Sequence, residues 1–274
     1  SKGMALIGVA FGLGFILGPA IGGLGSLVHI GFNPETTAAF ALTPFSFPAI
    51  LAFILALGNI LWVLKAFPET LPEEKRKNDG KPSPLFRFGS SSPDVKRSLN
   101  VYFIFIFAFA GMEFTLTFLA LERLYYEPHD MSLMFLFIGF ILALTQGYVV
   151  RRYGHKVGER NFTTMGLLGG TLSMVILAVS HGTALFYTGL FFLGFGVGCA
   201  SPSLSALVSL YAHEDRQGSE MGIFRSMGAL GRALGPILGA GVFWYAGSAT
   251  AYIIGSALFL LAGVFSLLLP KPAS

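Results

Sequence analysis

Eight long runs of apolar residues dominate this sequence of 274 residues. Each approaches or exceeds the roughly 18 residues that a helix needs to cross about 30 Å of hydrocarbon. The runs are continuous rather than alternating, which predicts helices and excludes the strands of a membrane barrel. The predicted spans are Met4–Leu27, Phe45–Phe67, Asn100–Leu121, Met131–Val150, Phe162–Val179, Ala184–Tyr211, Met221–Tyr245 and Ala249–Leu269. We therefore expect an all-α polytopic protein embedded in a lipid bilayer.

The composition excludes the other broad classes of protein. Hydrophobic residues make up 54% of the chain and charged residues only 12%, roughly half of the ~25% that is usual in soluble domains. A soluble domain cannot bury that much apolar surface, and a disordered chain has the opposite composition. The single cysteine, Cys199, excludes a disulfide framework. The five histidines fall at loops or helix ends, so we predict neither a metal site nor another cofactor.

The basic residues mark one side of the predicted bundle. Most of the 18 Lys and Arg residues lie in loops at alternate ends of the spans, whereas the loops near 28–44, 125–130, 180–183 and 246–248 hold none. The positive-inside rule then places both ends of the chain and the polar stretch 68–99 in the cytoplasm. Because this distribution accounts for the net charge of +4, it argues against nucleic-acid binding.

An internal repeat predicts the domain organisation. Met4–Gly22 aligns with Met221–Gly239, and the first predicted span then corresponds to the seventh. The repeat is thus six helices long, an arrangement known in transporters. We divide the chain into the last two helices of a first half (1–67), a proline-rich linker (68–99) and a six-helix second half (100–274). Since only two helices precede the linker and the chain does not start with Met, we expect it to lack about four N-terminal helices.

Three groups of residues resemble the major facilitator superfamily. Gly14-x3-Gly18-Pro19-x2-Gly22-Gly23 looks like the antiporter motif of the family's fifth helix. Gly147-x3-Arg151-Arg152-Tyr153-Gly154-His155-Lys156 resembles its loop motif between helices eight and nine. The strings 3–11, 68–72 and 111–116 resemble the eukaryotic tetracycline-transporter-like branch, which exports organic anions. The resemblance implies a major facilitator fold of which this chain holds helices five to twelve, eight of twelve.

The glycine-proline segment of the first span has two interpretations. Small residues at steps of about four form a smooth helix face that another helix can approach closely, and Pro19 kinks the helix. The resemblance implies instead a sealing and rocking interface between the two halves. Its symmetric counterpart would be Gly231, Gly235, Pro236 and Gly239. On that interpretation Gly18→Leu blocks transport although the protein still inserts.

Two charged residues fall inside predicted spans. Glu113 lies near the middle of the third span, where an ionised carboxylate is costly unless it is protonated, paired or hydrated. It is either a structural hydrogen-bonding group or a proton-coupling or cation site. Arg232 stays charged, so it needs an acid, a water-filled cavity or an anionic solute. The resemblance makes their helices neighbours, so we expect either an ion pair or a contact between Arg232 and substrate. Arg225, nearer a helix end, is expected to snorkel to the surface.

The basic residues after the fourth span also have two interpretations. The predicted tight loop contains Gly147, Arg151, Arg152, Gly154 and Lys156, with Gly154 available for the turn. These residues either mark the cytoplasmic side only or also act as a gate that holds one conformation.

These features predict a secondary active transporter. The sequence has no phosphate-binding loop, nucleophile–base set or dinucleotide motif, so neither ATP-driven transport nor an enzyme is expected. The preferred hypothesis is proton-coupled antiport, a drug-efflux activity, that moves amphipathic organic solutes or organic anions by alternating access. The alternatives are an uncoupled facilitator and a membrane receptor or scaffold that keeps the fold without transporting.

Overall fold

The computed structural model describes residues 46–67, 92–213 and 216–271, together with Gly14, Gly18 and Ile21. These residues form helices, and no strand occurs among them. The elements are α1 Ser46–Ala66, α2 Pro93–Leu124, α3 Pro128–Leu144, a π-helical segment Thr145–Val150, α4 Arg151–Val157, α5 Glu159–Val179, α6 Thr183–Tyr211, α7 Gln217–Ala246 and α8 Ser248–Ser266. The predicted all-α class is confirmed. Most of the first predicted span and residues 68–91 of the predicted linker lie outside the described residues.

Six segments of the described part are long and apolar enough to cross a membrane. They are α1, α2, the combined segment His129–Gly154, α5, α6 and α8. Helix α7 has 30 residues, which is also enough to cross, but it carries Glu220, Arg225 and Arg232 and is not among the six.

The chain divides into two compact units. Helix α1 belongs to one unit, and helices α2 to α8 belong to the other. Helix α1 is apolar along its length and none of its residues is buried. The second unit has a core of large side chains, which include Phe105, Phe186, Phe259 and Tyr252.

Helix α2 begins at Pro93 rather than at the predicted Asn100. The Ser92 side chain accepts a hydrogen bond from the Asp94 backbone N–H at 3.3 Å, which caps the helix. Proline fits the first helical turn because it needs no backbone donor, and the acid at 94 favours the positive end of the helix dipole. The last part of the predicted linker, 93–99, is therefore helical.

The prediction of a tight loop after the fourth span is wrong. Residues 128–157 are helical throughout, with the π-helical segment inside, so Arg151, Arg152, Gly154 and Lys156 lie on α4. The turn comes at Gly158, where φ is +81°, a conformation that favours glycine because other residues carry a Cβ. Gly154 has no such φ, and a helix accepts a single glycine at a cost of about 1 kcal/mol.

Glycines allow the helices of the second unit to approach closely. A Cβ on Gly166 of α5 would lie 2.5 Å from the carbonyl oxygen of Gly196 in α6, so the two backbones are nearly in contact. Gly170 makes room for the ring of Phe259 from α8. In lipid there is little hydrophobic force between helices, and this close van der Waals contact replaces it.

Hydrogen bonds from arginine side chains, which we call clasps, join the helix ends at both sides of this unit. At one end, the Arg123 guanidinium donates to the carbonyl oxygens of Ala178 at 2.9 Å and Ser180 at 2.8 Å, and to the Ser248 hydroxyl at 3.1 Å. At the other end, Arg160 donates to the Leu267 carbonyl. We call the second end, where α2, α5 and α7 begin, the basic end.

Candidate functional site

Helices α2 and α7 pack closely because glycines line both sides of their contact. A Cβ on Gly235 would lie 2.5 Å from the Phe107 carbonyl oxygen, and a Cβ on Gly239 would lie 2.8 Å from Gly111 Cα. Both distances are shorter than ordinary van der Waals contact, so only glycine fits without displacement of a helix. This contact fixes which residues of the two helices are neighbours.

The contact brings Glu113 of α2 next to Arg232 of α7. Nη1 of Arg232 lies 3.8 Å from Oε2 of Glu113, so the predicted ion pair is present. The Arg232 side chain is 51% exposed and the Glu113 side chain is 33% exposed. Their separation exceeds the ~2.7–2.9 Å of a direct charged hydrogen bond. The two groups therefore attract each other without a direct hydrogen bond, and both keep some exposed surface.

Both charges lie deep along their helices. Arg232 is fifteen residues from the first residue of α7, about 22 Å by helical rise. Glu113 is eleven residues from the last residue of α2, about 16 Å by the same rise. Charges that are wholly or partly exposed at such depth do not face hydrocarbon, because ionised groups there are strongly disfavoured. This face of α2 and α7 is therefore suited to water or to another protein surface.

Tyr102 extends this face toward the basic end. Its ring stacks on Phe224 of α7 with 3.7 Å between the ring centroids. A Cβ on Gly228 would lie 2.8 Å from its hydroxyl oxygen, so glycine provides the room for the phenol. Gly228 lies between Arg225 and Arg232 on α7, so the phenol meets this helix between the two arginines. The sequence does not single out Tyr102, because one more aromatic residue in an apolar helix carries no signal of its own.

The glycines predicted for the interface between halves fall into two groups. Gly231, Gly235 and Gly239 face α2, which belongs to the same unit as α7, and Pro236 lies inside α7. Gly14 and Gly18 are exposed, and no described atom of another element lies within 4 Å of a Cβ placed on them. Pro19, Gly22 and Gly23 lie outside the described residues. Close helix packing thus accounts for the three α7 glycines, and a role between halves stays a prediction.

The residues predicted to form a gate lie at the basic end. Gly147 is in the π-helical segment, and the basic residues follow on α4. The Arg152 guanidinium lies 5.7 Å from the centre of the Tyr148 ring, within the range of a cation–π contact. With Gly147 and Arg151 these residues line a surface depression. Their gating role stays a prediction.

A comparison with protein families decides what kind of protein carries this site. The profile of the Major Facilitator Superfamily matches residues 1–236 and 156–274. The chain belongs to this superfamily. Its members are transporters rather than enzymes. The family and the apolar helices together make the chain a multi-pass integral membrane protein. The predicted family and fold are confirmed.

Individual relatives agree with this assignment. Major facilitator superfamily domain-containing protein 10 of Mus musculus is 33% identical, over 100% of this chain and 60% of that protein. A solved structure, "Crystal structure of the human organic anion transporter MFSD10 (TETRAN)", matches 97% of this chain and 63% of its own with a TM-score of 0.73 and 32% identity. Tetracycline resistance protein class D of Salmonella ordonez is 27% identical over 97% of this chain and 65% of that protein. The chain thus spans under two thirds of these relatives' length.

Proposed function

We propose that this chain belongs to a secondary active transporter that moves amphipathic organic anions coupled to protons, by alternating access. The observation that carries the proposal is the partly exposed ion pair between Glu113 and Arg232, deep along two closely packed helices. A receptor or scaffold has no evident need for such charges, which are costly in a membrane.

The electrostatics of the pair link a proton to an anion. While Glu113 is ionised, its charge neutralises Arg232, and an approaching anion is repelled by the carboxylate. When a proton from solution neutralises Glu113, Arg232 loses its partner and can bind the carboxylate of a solute. The linkage is reciprocal, so a bound anion favours the protonated form of Glu113. The pair is then electrically neutral both when empty and when loaded.

The sense of coupling follows from the charge of the solute. An organic anion and a proton bind together, which favours their movement in the same direction. The antiport that the sequence predicts follows from the same pair when a cationic group of the solute competes with the proton for Glu113. An uncoupled facilitator would need neither joint binding of an anion and a proton nor competition between a cationic group and a proton.

The names of relatives support the choice of solute. The similar solved structure is titled an organic anion transporter, and more distant relatives are named tetracycline and multidrug resistance proteins. We further propose that the basic end of the described unit faces the cytoplasm, because basic residues are retained on that side of membranes.

Replacement of Glu113 by glutamine tests the proposal. The experiment uses the protein with every residue that its gene encodes, reconstituted in liposomes, and measures binding and flux of a fluorescent organic anion at several pH values. In the unchanged protein, apparent affinity for the anion should rise as the pH falls, because protonation of Glu113 frees Arg232. Glu113→Gln resembles the protonated form, so it should bind the anion at every pH without that dependence.

Glu122→Gln is the matched control. It makes the same change on the same helix, away from Arg232, and glutamine can still accept the 2.8 Å hydrogen bond that the Ser248 hydroxyl donates to Glu122. This control should keep the pH dependence. If Glu113→Gln also keeps it, Glu113 does not carry the proton. If the unchanged protein moves the anion with no response to a pH gradient, the protein is a facilitator.

A further inference from the structure

We propose that Arg225 and Tyr102 form a second anion-binding position, so that the site takes organic solutes with two anionic groups. This inference rests on the proposed function of Glu113 and Arg232. We call Arg225, Tyr102, Arg232 and Glu113 the charged row. In it, one anionic group of the solute binds Arg232 and the other binds Arg225, with the Tyr102 hydroxyl as an additional hydrogen-bond donor.

The helical geometry places the two arginines on one face of α7. They are seven residues apart, close to two helical turns, which gives nearly the same direction and a separation of about 10 Å along the axis. Both are exposed. The Tyr102 hydroxyl oxygen would lie 2.8 Å from a Cβ placed on Gly228. Gly228 is three residues after Arg225 and four before Arg232, so the hydroxyl meets α7 between the two arginines.

Packing holds the Tyr102 hydroxyl in this position. The ring is stacked on Phe224 at 3.7 Å, with an interplanar angle of 20°, and the hydroxyl oxygen lies over Gly228. A rigid aromatic residue loses little conformational freedom when a ligand binds, because it has only two side-chain torsions. The phenol is thus oriented before the solute arrives.

The charge balance of the row favours a dianion. Its two arginines and one glutamate give a net charge of +1 when Glu113 is ionised and +2 when Glu113 is protonated. A solute with one negative charge leaves one arginine without compensation in the loaded, protonated state. A solute with two negative charges neutralises the row completely, and uncompensated charge is what a membrane-embedded site disfavours most.

The contrary interpretation is that Arg225 only reaches out to water at the basic end. It lies eight residues from the first residue of α7, about 12 Å by helical rise. A snorkelling arginine would support folding or topology and would affect all solutes equally. The two interpretations therefore differ in solute selectivity rather than in total activity.

A matched pair of solutes separates them. The protein with all residues that its gene encodes is reconstituted in liposomes, and competition by biphenyl monocarboxylate and biphenyl dicarboxylate is measured. The variants are Arg225→Gln and Tyr102→Phe. The control is Arg216→Gln, the same change in charge at the residue before α7 and outside the charged row. Folding is checked by thermal unfolding of each variant.

The unchanged protein should prefer the dicarboxylate. Arg225→Gln should weaken dicarboxylate binding by about tenfold or more, as expected for loss of a charged hydrogen bond, and should change monocarboxylate binding by less than about twofold. Tyr102→Phe keeps the ring on Phe224, and it should weaken dicarboxylate binding in the same direction by a smaller factor. The control should keep the preference.

Four outcomes overturn the inference. Equal losses for both solutes in Arg225→Gln would mean a structural role, and unchanged selectivity in both variants would mean that neither residue contacts the solute. If the unchanged protein binds the monocarboxylate but not the dicarboxylate, this inference fails while the proposed function stands. If it binds no organic anion at any pH, both fail. If Arg225→Gln does not fold, Tyr102→Phe decides.

Discussion

The contact between α2 and α7 can be tested by adding one methyl group to Gly235. A Cβ there would lie 2.5 Å from the Phe107 carbonyl oxygen and 3.0 Å from the Gly111 backbone nitrogen. An ordinary contact between such atoms is about 3.5 Å. Because both neighbours are backbone atoms, no side chain can move aside, and α7 would have to shift by about 1 Å.

The expected loss of stability is the overpacking energy, reduced by the better helix propensity of alanine. Overpacking of this kind costs about 1–3 kcal/mol, and alanine gains about 1 kcal/mol over glycine inside a helix. Gly241→Ala on the same helix is the matched control, because no described atom of another element lies within 4 Å of its added Cβ. The two variants share the propensity gain, so the difference between them isolates the overpacking energy of about 1–3 kcal/mol.

Cys199 provides the assay. It is the single cysteine of the chain and has no exposed surface in α6. With any cysteine outside residues 1–274 replaced by serine, a thiol-reactive fluorophore added during a temperature ramp in detergent reports when the helices separate. A change of 1 kcal/mol shifts the midpoint by about 2–4 °C for a chain of about this length. An overpacking energy of about 1–3 kcal/mol should therefore make Gly235→Ala melt roughly 2–12 °C below Gly241→Ala. If the two variants melt together, the close approach of α2 and α7 is refuted.

Two further variants test other parts of the fold by the same melting assay. Arg123→Ala removes three hydrogen bonds that join the ends of α2, α5 and α8, so unfolding should require about 2–4 kcal/mol less free energy; a midpoint equal to that of the unchanged protein would show that the clasp contributes nothing. Gly158→Ala forces a Cβ into a φ of +81° and should cost about 1–2 kcal/mol, whereas Gly154→Ala, inside α4, should be neutral or stabilising. If Gly154→Ala were the more destabilising of the two, the turn would lie at Gly154, where the sequence predicts it.

The sequence by itself determined that the chain is helical and membrane-embedded. Length and apolarity are local properties, so the described spans fall close to their predicted positions. The errors occur at the ends of helices. Helix α2 begins at Pro93, where Ser92 caps it by accepting a hydrogen bond from the Asp94 backbone N–H. This cap is hard to recognise in the sequence because it lies in a polar stretch. The choice of Gly158 over Gly154 for the turn depends on the path of the backbone, and two glycines four residues apart look alike in a sequence.

The sequence also singled out two charged residues inside apolar spans, but not the geometry that joins them. Glu113 and Arg232 stand out because a charge inside an apolar span is costly wherever the span packs. Only the tertiary structure decided that the α7 glycines provide the contact with α2, that Glu113 and Arg232 lie 3.8 Å apart, and that the Tyr102 hydroxyl meets α7 at Gly228. The physical reason is that these residues are more than a hundred positions apart in the chain. Helical periodicity shows which residues share a face, whereas backbone packing between distant helices determines what that face meets.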